Sequence, residues 1–451
     1  MEGGRRRGLG AGRAARRPGR PTAARRGDER VRGDAHAPGV ADRSAAAAAG
    51  HLADLDAVSG RGPALSAGGA AGLRGGRTEL GTAHRDRPGG GLRLGGHRPI
   101  RRRDPLMTSP NGTALGTATS DPAAEQLFFE IFLTPRDDPY PAYRRLRETA
   151  PVLLTGDGTL VLTRFADCDA ALRHRSFGKG NELAGFGLPG GAGEQQRQAQ
   201  GRLGHSMLFA NPPEHTRLRR SVGSVFTTRH IQDLRASIED RTRKHLGQLA
   251  RRSGGDFVDT LALPLPVNVI ADLLGVPEAD RMVFTPKVRQ MVALLEPAAA
   301  PEAITAAAAA EADLVAYFTD LLAAKRADPH EDLLSRMATA PEQTRLSQQE
   351  MISTSLLLFG AGFETTTNLL SNTLHALLNH PDQQAALRAD PALIPTAVEE
   401  FLRYDSPVQV DARTVLHDTD FAGTHLKAGQ VIVMLLGAAN HDPDLVAQPD
   451  T

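Results

Sequence analysis

The sequence predicts a mostly α domain with small β-sheets, preceded by a disordered extension. Three observations carry this. Helical periodicity fills most of residues 213–404. Short apolar runs bounded by Gly and Asp read as strands near both ends of that region. The first 106 residues contain no Phe, Tyr, Asn, Gln, Cys or Lys, and a single Ile, Ile100.

That first segment is Arg, Gly, Ala and Pro with little else, and it cannot bury enough apolar area to offset its chain entropy. It holds 22 Arg against 10 Asp plus Glu, a net +12, whereas the rest holds 31 basic and 42 acidic residues, a net −11. A basic arm for nucleic acid or acidic partners and a targeting segment are alternatives. The favoured reading is translation of GC-rich upstream DNA, because the missing residue types have AT-rich codons. Met107 in "DPLMTSPNG" is then the natural start, with 107–124 a flexible leader and the folded domain at 125–451.

Along that domain, "DPYPAYRRLRETAP" is a short amphipathic helix closed by Pro151. "VLLTGDGTLVLTRF" is two short strands joined by Gly-Asp-Gly. "ADCDAALRHRSF" is helical, with Ala166, Ala170 and Leu172 on one face. Residues 181–205, rich in Gly, Gln and Pro, form a long loop, and long loops are often functional. Helices are expected at 213–226, 230–252, 264–274, 303–327, 347–379 and 393–404. Strands follow at 412–416 and 430–435. No internal repeat is present. No apolar run approaches the roughly 20 residues of a membrane span, and the single cysteine, Cys168, excludes an intrachain disulfide framework. The expected location is the cytoplasm, with neither membrane nor nucleic acid as a partner.

Four constellations carry chemistry. "LLLFGAGFETTTNLL" (356–370) is a helix interior weakened by Gly360 and Gly362, each costing about 1 kcal/mol against Ala. It sets Glu364 beside Thr365, and a carboxylate in so apolar a segment is costly unless used. "NPPEHTRLRR" opens a helix with His215 and Arg219 four apart on one face, suited to an anion; its ordinary reading is a solvated basic face. "AVEEFLRYDSPVQ" holds the pair Glu400–Arg403, ordinarily a surface contact of a few tenths of a kcal/mol. "RTVLHDTDFAGTHLKAGQVIVMLLGAANHDP" reads as strand, turn, strand and polar corner, with Arg413 opening the first strand.

Together, in this order and spacing, "DPYPAYRRLR", "NPPEHTRLRR", "AGFETTT", "EEFLRYDSPV" and "AANHDPDLVAQPD" resemble the signatures of the bacterial soluble cytochrome P-450 superfamily of haem-thiolate monooxygenases. The resemblance covers about residues 125–451. It implies the cytochrome P-450 fold, haem b as cofactor, and insertion of one oxygen atom from O2 into a C–H bond. It implies electrons from a ferredoxin and a ferredoxin reductase. It gives Thr365 the role of hydrogen-bond donor in O2 activation and Glu364 that of proton relay from solvent. Ala361 and Gly362 would let the cofactor approach the helix, while His215, Arg219 and Arg413 would hold its propionates. Glu400 and Arg403 would be a structural ion pair. The loop at 181–205 with Phe359, Val408, Gln409 and Val410 would line the pocket of a lipophilic small-molecule substrate. His441 stands where Arg is usual. The haem-ligand Cys of the family is expected beyond Thr451, so no metal ligand is assigned here; Cys168 reads as a small buried residue. A chain without that ligand is expected to be inactive.

Overall fold

The computed structural model describes residues 114–134, 136–180, 201, 203–223, 226–251, 255–295 and 300–450. The extension 1–106 and residues 181–200 of the expected loop lie outside the described residues.

The sheet end is built first along the chain. Helix α1 (Pro122–Leu133) starts where Asp121 caps it by accepting from the Ala123 amide at 2.9 Å, with Pro at the first turn where no donor is needed. Helix α2 (Tyr140–Thr149) precedes strands β1 (Val152–Leu154) and β2 (Leu160–Leu162), then α3 (Phe165–Arg173) and β3 (Phe177–Gly178). These join β4 (Val410–Val415) and β7 (Val431–Leu435) in a five-stranded sheet of order β1-β2-β7-β4-β3. β2 and β7 run parallel, with Leu160, Val161 and Leu162 opposite Ile432, Val433 and Met434. The period of two then sorts side chains. Leu160, Leu162, Ile432 and Met434 pack with Cys168 and Ala171 of α3, whereas Val161, Val433 and Leu435 pack with Phe128, Tyr143 and Leu146 of α1 and α2. Strands β5 (Thr419–Phe421) and β6 (Thr424–Leu426) form a separate hairpin.

The expected flexible leader is tied down from residue 114. Gly116 N donates to Asp167 at 2.9 Å, Ala118 N to Ala422 O at 2.9 Å, and Thr119 bridges to Leu153. Leu115 and Ala118 pack against the apolar cluster on the α3 face, which the sequence pattern alone does not reveal.

The helical half comprises α4 (Glu214–Val222), α5 (Thr228–Asp233), α6 (Arg235–Arg251), α7 (Pro264–Leu274), α8 (Glu278–Val292), α9 (Pro301–Ala327), α10 (Leu333–Thr339) and α11 (Gln348–Asn379). Their apolar stripes meet in one core that includes Ile270, Val288, Met291, Leu314, Phe318, Leu356, Phe359 and Phe363. Helix α8 was not expected. It carries Pro286 in its interior and exposes Met282 and Val283, which blurs its helical period. Helices α12 (Pro381–Ala389), α13 (Ile394–Tyr404) and α14 (Leu436–Asn440) lead from α11 back to the sheet end. Among the described residues no single helix is long and apolar enough to cross a membrane.

Candidate active site

Helix α11 is held at its start by a capping box. Ser347 Oγ accepts from Glu350 N at 3.2 Å, and Glu350 returns a bond from Ser347 N at 2.7 Å. Glu350 also receives Arg217 of α4, which fixes α4 to this end.

The glycines of α11 have a packing role that the sequence reading did not assign. A Cβ on Gly360 would lie 2.7 Å from Val292 of α8, and one on Gly362 would lie 2.6 Å from Ile270 of α7. Both neighbours sit where only hydrogen fits. Gly362 therefore faces a neighbouring helix, α7. Phe359 is 1% exposed in the helical core, edge-on to Phe363 at 6.0 Å. At about 100° per residue, Phe359 lies on the far side of the helix from Ala361.

Ala361 and Thr365, four residues apart, share the open face; Ala361 is exposed and Thr365 half-buried. Thr365 Oγ1 donates to Ala361 O at 3.1 Å, the back-bond by which a mid-helix threonine competes with the ladder. Glu364 points elsewhere. Its Oε2 is buried without a hydrogen-bond partner, and Arg289 Nε of α8 stands 3.7 Å away. No hydrogen bond joins Glu364 to Thr365, so the acid and the alcohol are neighbours in sequence rather than a bonded pair.

The cations gather at the β3–β4 edge. Arg413 is half-buried on β4 and donates to Asp411 at 2.6 Å and to Ala412 O at 2.8 Å. Lys179, just past β3, reaches the other oxygen of Asp411 at 2.5 Å. Burial pulls the Lys179 ammonium below its ordinary value, and Asp411 opposes that. Asn211 clamps Lys179 from the helical side, its Oδ1 accepting from Lys179 N and its Nδ2 donating to Lys179 O, both at 2.8 Å. Asn211 O in turn accepts from His215 N at 2.9 Å. The loop before α4 is thus fastened to the strand edge that leads to Arg413. His215 is half-buried and Arg219 exposed, and neither side chain has a partner among the described residues. Asp411 and Lys179 were missed by sequence reasoning. For Asp411 a signal existed: a residue two before Arg413 in a strand shares its face.

Glu400 and Arg403 form the expected pair, bidentate at 2.8 and 2.7 Å. Arg403 also donates to Asn440 O at 3.0 Å and Pro449 O at 2.9 Å, so it fastens α13 to the corner after α14. Glu400 is half exposed, so much of the Arg403 contribution comes from the two carbonyls. His441 is buried, stacked on Tyr140 at 4.1 Å. Its Nε2 faces Tyr404 O at 2.8 Å and its Nδ1 Asp450 at 2.9 Å.

Val408 borders a cavity of about 320 Å³ with Cys168, Leu172 and Leu402. Gln409 Nε2 donates to Ser406 O at 2.8 Å and Tyr140 Oη at 3.2 Å, which makes it a strut under α14. Val410 packs on the α1–α2 side of the sheet. Cys168 is 2% exposed, 3.6 Å from Leu162 O. Burial pushes its thiol well up, and the charges of Asp167, Asp442 and Asp169 add to this. Buried cysteines in apolar surroundings are generally unreactive. Among the described residues no group of three His, Cys, Asp or Glu side chains could hold a metal ion.

The open face of α11 thus carries Ala361 and the Thr365 back-bond, and Arg219 and Arg413 are guanidinium groups of a kind suited to carboxylates. The family model for cytochrome P-450 matches residues 318–451. The vitamin D(3) 25-hydroxylase of Pseudonocardia autotrophica is 37% identical over 319 residues, spanning 69% of this chain and 76% of the relative. The cytochrome P-450 monooxygenase PikC of Streptomyces venezuelae is 35% identical over 321 residues, spanning 69% and 74%. Among solved structures, P-450 BioI in complex with hexadec-9Z-enoic acid ligated acyl carrier protein matches at TM-score 0.64 and 32% identity, over 70% of this chain and 81% of that one. A Bacillus megaterium P-450 in complex with testosterone matches at 0.61 and 30%, over 71% and 80%. The chain belongs to the cytochrome P-450 family, whose members are haem b-dependent oxidoreductases.

The residues fit one half of that cofactor. His215, Arg219 and Arg413 suit its carboxylates, whereas Cys168, enclosed between α3 and the sheet, does not suit its iron.

Proposed function

We propose that this protein is a cytoplasmic monooxygenase that inserts one oxygen atom of O2 into a C–H bond of a lipophilic small molecule, using electrons from a ferredoxin and a ferredoxin reductase. The observation that carries it is the Thr365–Ala361 bond on the open face of α11, which keeps a hydroxyl beside a helix carbonyl. Bound haem would supply the O2 chemistry. Thr365 supplies a hydroxyl at that face, Glu364, one residue before it, a carboxylate, and His215, Arg219 and Arg413 donors for carboxylates. The lipophilic substrate class is supported by the hexadecenoyl group and testosterone named for two structural relatives. The test is turnover with labelled O2: one labelled atom should enter product. Label entering from water instead counts against the proposal. Thr365→Ala should still consume reductant but yield peroxide in place of product.

A second reading rests on Cys168. The one cysteine is enclosed and already placed against Leu162 O. On this reading the 451-residue chain binds haem weakly or not at all and does not turn over substrate. A carbon monoxide difference spectrum decides between the two. The second reading expects no thiolate-type band. A band that vanishes in Cys168→Ser would overturn it.

A further inference from the structure

Asp411 is the one carboxylate in the cluster formed with Lys179 and Arg413, and both its oxygens are taken. One oxygen receives Lys179 Nζ and the amide of Ala412, and the other receives Arg413. Glu214, the acid on α4, is bound by Arg217, so it does not neutralise His215 or Arg219. Lys179 and Arg413 against Asp411 leave a net charge of +1, and the unpartnered Arg219 of α4 adds a second positive charge. That matches a ligand with two carboxylates.

Lys179 is not on this cluster by accident of a flexible side chain. Its backbone is gripped on both sides by the Asn211 amide. A side chain in place of the hydrogen of Gly178 would meet Asn211 Oδ1 at 2.4 Å. The strand end and the loop before α4 therefore close on each other only with glycine at 178. The same loop positions His215 through Asn211 O. Lys179 is built into the hinge between the two cationic elements.

We propose that Lys179 is a further cation of the porphyrin-carboxylate site, and that Asp411 is a competing carboxylate that bridges Lys179 and Arg413 until a ligand carboxylate displaces it. This rests on the reading that His215, Arg219 and Arg413 bind the cofactor's carboxylates. Charge-assisted bonds to a carboxylate are about twice as strong as neutral ones. Lys179 gives up one such partner and gains another, so the exchange is nearly balanced, and removing the competing charge of Asp411 tips it toward the ligand.

The test uses metal-free protoporphyrin IX and its dimethyl ester on the 451-residue protein, so that neither iron nor Cys168 enters. Dissociation constants are read from porphyrin fluorescence. The diacid should bind more tightly than the ester. Lys179→Met should shrink that preference, by less than the roughly tenfold that loss of a whole charge-assisted bond would give, while leaving ester binding unchanged. Lys179→Arg should restore it. Asp411→Asn, which keeps shape and drops charge, should tighten the diacid several-fold. If Lys179→Met leaves the diacid-to-ester ratio as it was, Lys179 is not part of the site and the proposal falls. If Asp411→Asn weakens the diacid, Asp411 is a component of the site and not a competitor. If the wild-type protein shows no preference for the diacid, the underlying assignment of His215, Arg219 and Arg413 fails first, and the proposal fails with it.

Discussion

Gly362→Ala separates two accounts of the same glycine. On an open helix position, Ala for Gly stabilises by about 1 kcal/mol. Here the new Cβ would lie 2.6 Å from Ile270 Cγ1 and 3.0 Å from both Ile270 Cβ and Cδ1. Ile270 is 5% exposed, and its Cβ moves only if α7 moves. Overpacking of this kind costs about 1–3 kcal/mol. The net expectation is a loss of roughly 0–2 kcal/mol, opposite in sign to the open-helix case. The assay is urea unfolding followed by far-UV circular dichroism. A second change makes the reasoning sharper. Ile270→Ala removes Cγ1 and Cδ1 and costs about 2–5 kcal/mol alone. In the double variant the added methyl occupies part of that space, so the two costs should fall short of additive by about 1 kcal/mol or more. Stabilisation by Gly362→Ala, or strict additivity of the pair, refutes the packing account. It would leave Gly362 the role the sequence suggested.

Other expectations follow from the same contacts. Arg403→Ala strips bonds from Asn440 O and Pro449 O as well as from Glu400, and should lower unfolding stability by about 1–3 kcal/mol; Glu400→Ala should cost less, because Glu400 is half exposed, and equal costs would contradict this. For Glu350, burial alone would raise its carboxyl, but Arg217 and the Ser347 amide outweigh burial and hold it below the ordinary value. A depressed folded value gives stability that is present above the unfolded carboxylate range, near pH 4.3, and lost as pH falls through the folded value. Urea midpoints should therefore drop on acidification below about pH 5, and Glu350→Gln should flatten that drop; an unchanged slope would count against it. Expression from Met107 should give the same thermal unfolding as the long chain, and a large loss of stability would show that residues 1–106 matter to the fold.

What the sequence made legible was set by the range of the interaction concerned. The span 264–274 coincides with α7, and the expected 347–379 differs from α11 by one residue. These are local signals of period, capping residues and flanking Pro or Gly. Helix α8 escaped because Pro286 interrupts its period, and its hold on the fold is through Val288 and Val292 against distant partners. The site divides in the same way. The Thr365–Ala361 bond spans one helical turn and could be expected from the motif. The Lys179–Asp411 pair joins residues 232 apart, and nothing local announces it. His441 shows why a departure from a family pattern is opaque until its surroundings are known. An arginine offers a fork of donors; histidine offers at most two. The structure gives His441 two acceptors and no more. Nε2 donates to Tyr404 O, since a carbonyl can only accept, and Nδ1 meets Asp450. The flat ring is then free to stack on Tyr140, whose hydroxyl is itself held by Asp405. Replacing His441 by Arg would add donors with no acceptor in that buried space and remove the stack. The histidine is thus matched to this corner, through partners at positions 140, 404 and 450 that no motif reads together.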